Sequence, residues 1–295
     1  MQLTNLLLLV GAIGAMAHPS GIAHNHHAHH HRRGGALHMK HKKPAPNSAT
    51  TSTTVAAAAT PTPKPPVEDK SSNDSPPSDE YIPFCGSNTA PVKAKRVTPE
   101  QVMYRGNLGT ANGCPWNSNM MLVPNNLASK YNYVQEYINV ASEPYEVICA
   151  NKLGPDGRLT GMFEIAGQNV LRFMLAPGET KIVVSDSNTQ GVCAFAPHSI
   201  PKTPHGQWAG VWAEFDFENT SNGGWSGADC SSLVAQHYDM DVPGCRMSEG
   251  GVDSTILPGG IGDNAYTRGM EELDGIGLNI IPGKTTIKVY VGFSG

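Results

Sequence analysis

Residues 210–233 read GVWAEFDFENTSNGGWSGADCSSL. Side chains alternate across a strand, so Val211, Ala213, Phe215 and Phe217 share one face and Trp212, Glu214, Asp216 and Glu218 share the other. One face therefore calls for an apolar core. The Asn/Ser/Gly stretch that follows reverses the chain and brings Asp229 back toward Glu214. Two readings of the acidic face are open. It is either the solvated side of a half-buried strand, or the wall of a groove for hydroxyl-rich ligands. Same-face neighbours on a strand lie about 6.5–7 Å apart, inside the roughly 5–9.5 Å range of glycosidase carboxylate pairs. The groove reading assigns Glu214, Asp216 and Asp229 to ligand contact, with Trp212 and Trp225 as stacking surfaces and Glu214 and Asp229 as the candidate catalytic acids.

The same two-residue period recurs elsewhere. In TTIKVYVGF (285–293), Ile287, Val289, Val291 and Phe293 oppose Lys288 and Tyr290, which predicts a half-buried antiparallel strand. VQEYINVA, YEVICA, MFEIA, VLRFML and TKIVVSD read alike, and turns such as GPDG (154–157) and APGE (176–179) separate them. Helical signals are short: TPEQV (98–102), NNLASKY and NAYTRGMEEL. The expected class is mainly β, an antiparallel β-sandwich with few short helices, spanning residues 81–295.

Upstream the composition changes. Residues 1–17 end a short apolar run in Ala15-Met16-Ala17, the pattern of a cleaved secretory signal peptide. The run is too short to span a bilayer, and no later segment is longer, so no membrane span is expected. Residues 18–43 hold five Lys/Arg, no acid and nine of the twelve His. This arm has no hydrophobic period and is expected to be disordered. His26, His27, His29, His30 and His31 are its candidate metal ligands, but a flexible tract fixes no coordination geometry. Residues 44–80, rich in Ser, Thr, Pro and Ala, read as an extended stalk. Asn73 and Asn219 begin N-x-S/T glycosylation patterns.

The total formal charge is −4, and setting the arm's five basic residues aside leaves −9 for residues 44–295. An acidic folded part argues against a nucleic-acid partner. Export makes an even cysteine count legible as three disulfides. Local spacing pairs Cys230 with Cys245 as a loop closure. Cys149 and Cys193 lie in strand-like runs and are expected to join neighbouring strands, leaving Cys85 with Cys114. The sequence has no G-x-S-x-G or H-E-x-x-H pattern. No cofactor is expected.

YRGNLGTANGCPWNSNMMLV, NKLGPDGRLTG, LAPGETKIVVSDSNTQG, GVWAEFDFE, NGGWSGADCSSL and DGIG together resemble the Asp f 4 family of secreted fungal allergens. The resemblance implies a fungal extracellular or cell-wall-associated protein, effector-like, recognised by IgE in allergic hosts, with no enzymatic activity to carry over. A host extracellular protein or cell-wall β-glucan is the expected partner. LAPGETKIVV, AEF and ADCSS also resemble thaumatin-like proteins, which are β-sandwiches with an acidic cleft. That likeness maps Glu214 and Asp229 onto two cleft acids and implies β-1,3-glucan binding, or weak glucanase action as the alternative. The matching Arg is absent from QGVCAFAP, which favours binding over hydrolysis.

Overall fold

A computed structural model describes residues 80–86 and 104–295. The expected signal peptide, His-rich arm, stalk residues 44–79, Asn73 and the TPEQV helix lie outside the described residues. The described chain is mainly β, as its sequence pattern predicts, and forms two sheets.

The strands follow in chain order. β1 is Met120–Val123, β2 Tyr133–Asn139, β3 Tyr145–Asn151, β4 Leu171–Leu175, β5 Thr180–Ser185, β6 Thr189–Pro197 and β7 Val211–Asn219. After them come β8 Trp225–Ser231, the short helix α1 Leu233–His237, β9 Cys245–Glu249, β10 Val252–Leu257, β11 Ile261–Asp263, β12 Leu278–Ile280 and β13 Thr285–Val291. One sheet has the order β1-β5-β2-β13-β9-β10-β11 and the other β12-β8-β7-β6-β3-β4. Phe215 and Phe217 of β7 join Tyr133 and Tyr137 of β2 and Ile287 and Val289 of β13 in one buried cluster between the sheets.

The alternation read in β13 holds: Ile287, Val289 and Val291 are buried and Lys288 is exposed. Its pairing is a correction, because β13 runs antiparallel to β9 but parallel to β2. Periodicity reports which face is buried and carries no information on neighbour direction. MFEIA is not a strand; Phe163 makes only an isolated bridge to Gln207. NNLASK forms a 3-10 turn, and NAYTRGMEEL forms turns without a helix.

The central strands of the six-stranded sheet, β3, β6, β7 and β8, are buried on both sides. Odd-numbered residues of β7 enter the inter-sheet core, whereas Trp212 joins Ile148, Ala150, Val192 and Ala194 in a second cluster outside the sandwich. Leu108, Trp116, Leu153, Met162, Trp208 and Val234 close that cluster from loops and from α1. Every residue of β3 is consequently buried. The loops are pinned by buried amides. Asn117 Oδ1 accepts from the Asn151 amide at 2.9 Å, and Asn119 and Asn151 exchange side-chain hydrogen bonds at 2.8 and 2.9 Å. Such satisfied buried amides are costly to disturb, which fixes the covering segment in one place.

Disulfides link the layers. Cys149 and Cys193 join directly opposed residues of β3 and β6, while Cys230 and Cys245 tie β8 of one sheet to β9 of the other. Cys85–Cys114 attaches residues 80–86, whose Phe84 packs edge-on against Tyr131. The Cys230–Cys245 bond closes the segment that carries α1 and does not hold the β7–β8 turn. Replacing both residues by Ala opens a closure of sequence separation 15. On chain entropy, this should cost about 3 kcal/mol. Denaturant unfolding is the measurement, with a lowered midpoint as the expected result.

Candidate functional site

The opening stretch forms a hairpin. β7 ends at Asn219, whose side chain accepts from the amides of Ser221 and Asn222. Gly223 then takes the left-handed conformation at φ 65°, which a residue without Cβ adopts at little cost. β8 returns antiparallel, and its register sets Glu214 directly opposite Asp229. The two acids therefore meet, as the turn chemistry predicts.

The acids are not on a solvated face. Glu214 and Asp216 are each 1% exposed and Asp229 is 0% exposed. The physical reason is the loop layer over the outer side of the six-stranded sheet, which strand periodicity alone does not announce. This overturns the solvated reading, and it overturns an open groove at these residues as well. Trp212 and Trp208 are buried in the outer cluster, and Trp212 Nε1 donates to the Trp208 carbonyl at 3.1 Å, so neither offers a stacking face. Trp225 is partly exposed at the start of β8. Asn219 is fully buried and its Nδ2, the atom a glycan would need, donates to Asp216 Oδ2 at 2.5 Å. That geometry opposes a glycan at Asn219.

Sequence reasoning missed the cation. Lys152, just past the end of β3, places Nζ 2.7 Å from Oε2 of Glu214. Burial alone would lower the Lys152 pKa, but the charges of Glu214, Asp229 and Asp216 outweigh it and raise the value, so the ammonium persists. Three carboxyl groups share this one buried cation. Asp229 has no hydrogen-bond partner for either oxygen among the described residues. Burial first, then the neighbouring Glu214 charge, holds its carboxyl well above the usual range. For Asp216, burial raises the pKa to about 7 against hydrogen bonds from Asn219 and Gln190. Tyr266 closes the far side. It is buried, its hydroxyl accepts from the Ile276 amide at 3.3 Å, and burial plus the Asp229 charge raise its pKa. Gly277 lies so close that a Cβ there would fall 2.7 Å from Cβ of Asp229. The sequence signal for Lys152 is its place in NKLGPDGRLTG, a stretch that carries family resemblance and no catalytic motif.

Open space lies elsewhere. A cleft of about 860 Å³ is bounded by the β2–β3 turn, the segment between α1 and β9, and Arg268. Glu143, Asp239, Asp241 and Arg268 supply charge, and Tyr145 and Met240 supply apolar surface. Arg268 pairs with Asp239 at 2.5 Å, and His198 stands 3.3 Å from Glu143. None of the sequence-predicted binding residues lines this cleft. Among the described residues no group of three or more His, Cys, Asp or Glu could hold a metal ion; the candidate ligands His26, His27, His29, His30 and His31 lie outside them.

Comparison with known proteins gives three findings. The family model described as the Allergen Asp f 4-like domain matches residues 118–291. Allergen Asp f 4 of Aspergillus fumigatus is 35% identical over 196 residues, covering 65% of this chain. The chain spans 59% of that relative's length. Among solved structures, the protein elicitor MoHrip2 from Magnaporthe oryzae aligns at 13% identity with a TM-score of 0.34, over 55% of this chain and 99% of its own.

The buried acids carry a pH prediction. Asp216 has a folded pKa near 7 and an ordinary value of 3.8, so the folded state binds its proton more tightly than the unfolded state. The stability this contributes is complete below about pH 4 and is lost as pH rises through 7, amounting to roughly 4 kcal/mol. Asp216→Asn should flatten that part of the profile and be relatively more stable at pH 8 than at pH 4. Unfolding free energies of both proteins across pH 4–8 test it; parallel profiles would contradict it.

Proposed function

From the premise that the chain belongs to the family of Asp f 4-like allergen domains, we propose that it is a fungal extracellular protein that binds without catalysing, through the cleft beside Arg268, a hydroxyl-rich partner such as cell-wall glycan. The observation that carries this reading is the separation of acids from access. The paired acids Glu214 and Asp229 sit beneath a loop layer, where a polysaccharide has no path to them. The cleft, by contrast, is open and combines a few convergent polar groups with apolar surface, the usual make-up of a ligand site. Carboxylates and a guanidinium suit sugar hydroxyls as acceptors and donors.

Extracellular placement draws on several supports. All six cysteines are paired, which fits an oxidising compartment, and residues 1–17 read as a leader. No helix among the described residues is long and apolar enough to cross a membrane. The relative from Aspergillus fumigatus is named an allergen, and by extension IgE recognition of exposed surface is part of this proposal. Action on a host extracellular protein would use the same cleft.

Retention of the full chain on insoluble β-1,3-glucan, chitin and cellulose tests the reading. Retention on one polymer is expected, with no sugar released from it. Replacing Asp239 and Asp241 together by Ala, with the fold checked by circular dichroism, should weaken retention about tenfold, the worth of one charge-assisted hydrogen bond. Unchanged retention in that variant would remove the cleft from the account.

A further inference from the structure

We propose that Lys152 and Glu214 condense into an intramolecular amide, an isopeptide bond between Nζ and the Glu214 side-chain carbonyl, with Asp229 relaying the protons. The two groups are already in contact, at 2.7 Å from Nζ to Oε2. Neither is free to drift. Glu214 is fixed in the middle of β7 between β6 and β8. Lys152 follows Asn151, whose backbone and side chain are held by Asn117 and Asn119. Holding an amine against a carboxyl group in this way converts a bimolecular condensation into a positional one, an advantage of several orders of magnitude.

The surroundings favour the product. Glu214 stands opposite Val192 on β6, and Ala150, Leu153 and Trp212 pack in the same apolar cluster. In such a site an ion pair has lost most of its hydration, and expelling one water removes both charges. Asp229 supplies what a simple ion pair lacks. It is fully buried, faces Glu214 across the hairpin, and neither oxygen has a hydrogen-bond partner among the described residues. Burial, and then the neighbouring Glu214 charge, raise its pKa, which favours the protonated form that can donate.

The step balances without an oxidant or an external reagent. A proton passes from the Lys152 ammonium to the Glu214 carboxylate, leaving a neutral amine and a carboxylic acid. The nitrogen lone pair attacks the carboxyl carbon while Asp229 protonates the carbonyl oxygen. Asp229 then takes a proton from nitrogen and passes it to one hydroxyl, which leaves as water as its C–O bond breaks, and the proton of the remaining hydroxyl returns to Asp229 as the amide carbonyl forms. The products are a secondary amide and one water. The bond would span from the end of β3 to β7 across β6, and reduction would not open it.

Tryptic mapping of the reduced, alkylated full chain decides the matter. A Lys152 without the amide link is cleaved, giving separate peptides 131–152, 153–158 and 203–246. An amide at Lys152 blocks cleavage there. It yields one branched species of 131–158 joined to 203–246, lighter than their sum by one water, with fragment ions placing the link at Glu214. Quantitative recovery of the linear peptides from folded wild-type protein would overturn the proposal, as would a link at Asp229. In soluble, folded Asp229→Asn the branched species should disappear, and its persistence would overturn the relay. The wild-type map judges the bond itself even if that variant fails to fold.

Discussion

Placing three carboxyl groups around one lysine beneath the outer surface of a sheet is the constraint on which the rest of this structure depends. A carboxylate in a dry site costs several kcal/mol unless it is paired, hydrogen-bonded or protonated, and the cluster uses all three. Glu214 is paired with Lys152, Asp216 takes hydrogen bonds from Asn219 and Gln190, and burial shifts Asp229 toward its protonated form. Each device demands a neighbour in a fixed place. The β7–β8 turn is therefore capped by the same Asn219 that serves Asp216, and the close approach of Gly277 leaves no space for a side chain beside Asp229. The amide ladder of Asn117, Asn119 and Asn151 holds the end of β3 from which Lys152 extends.

Much of this arrangement was legible in the sequence, and the reason lies in the range of each signal. Two-residue periodicity assigned Phe215 and Phe217 to the core and the acids to the opposite face, because a strand fixes that geometry locally. Turn residues between two runs placed Asp229 against Glu214, because a hairpin determines its own register. The cysteine pairs followed from spacing for similar reasons. What failed was everything requiring knowledge of a distant segment. A strand says which residues share a face and is silent about what lies on it. The expectation of solvent at Glu214 and Asp216 fell to loops contributed by residues more than fifty positions away, Trp116 and Leu153 among them. Lys152 was missed for the same reason. The parallel pairing of β13 with β2 depends on topology, which no single strand encodes.

The acidic stretch that first suggests a sugar-cleaving groove is thus reassigned to the interior, and the open cleft, the site proposed for a partner, is one that no strand pattern announces. Much of its lining comes from irregular segments, the β2–β3 turn, the segment after α1 and Arg268 among them. This division is common in β-proteins: a rigid sheet holds loops, and the loops carry recognition. The sealed cluster and the open cleft are two different solutions to charge in one acidic domain.

Carboxyl footprinting of the native protein tests this division most directly. A carbodiimide with a small amine labels only acids that solvent reaches. The account predicts that Asp216 and Asp229 stay unlabelled in the native state and become reactive on unfolding, while Glu143, Asp239 and Asp241 are labelled from the start. Labelling of Asp216 and Asp229 in the native protein at the rate of the cleft acids would contradict it.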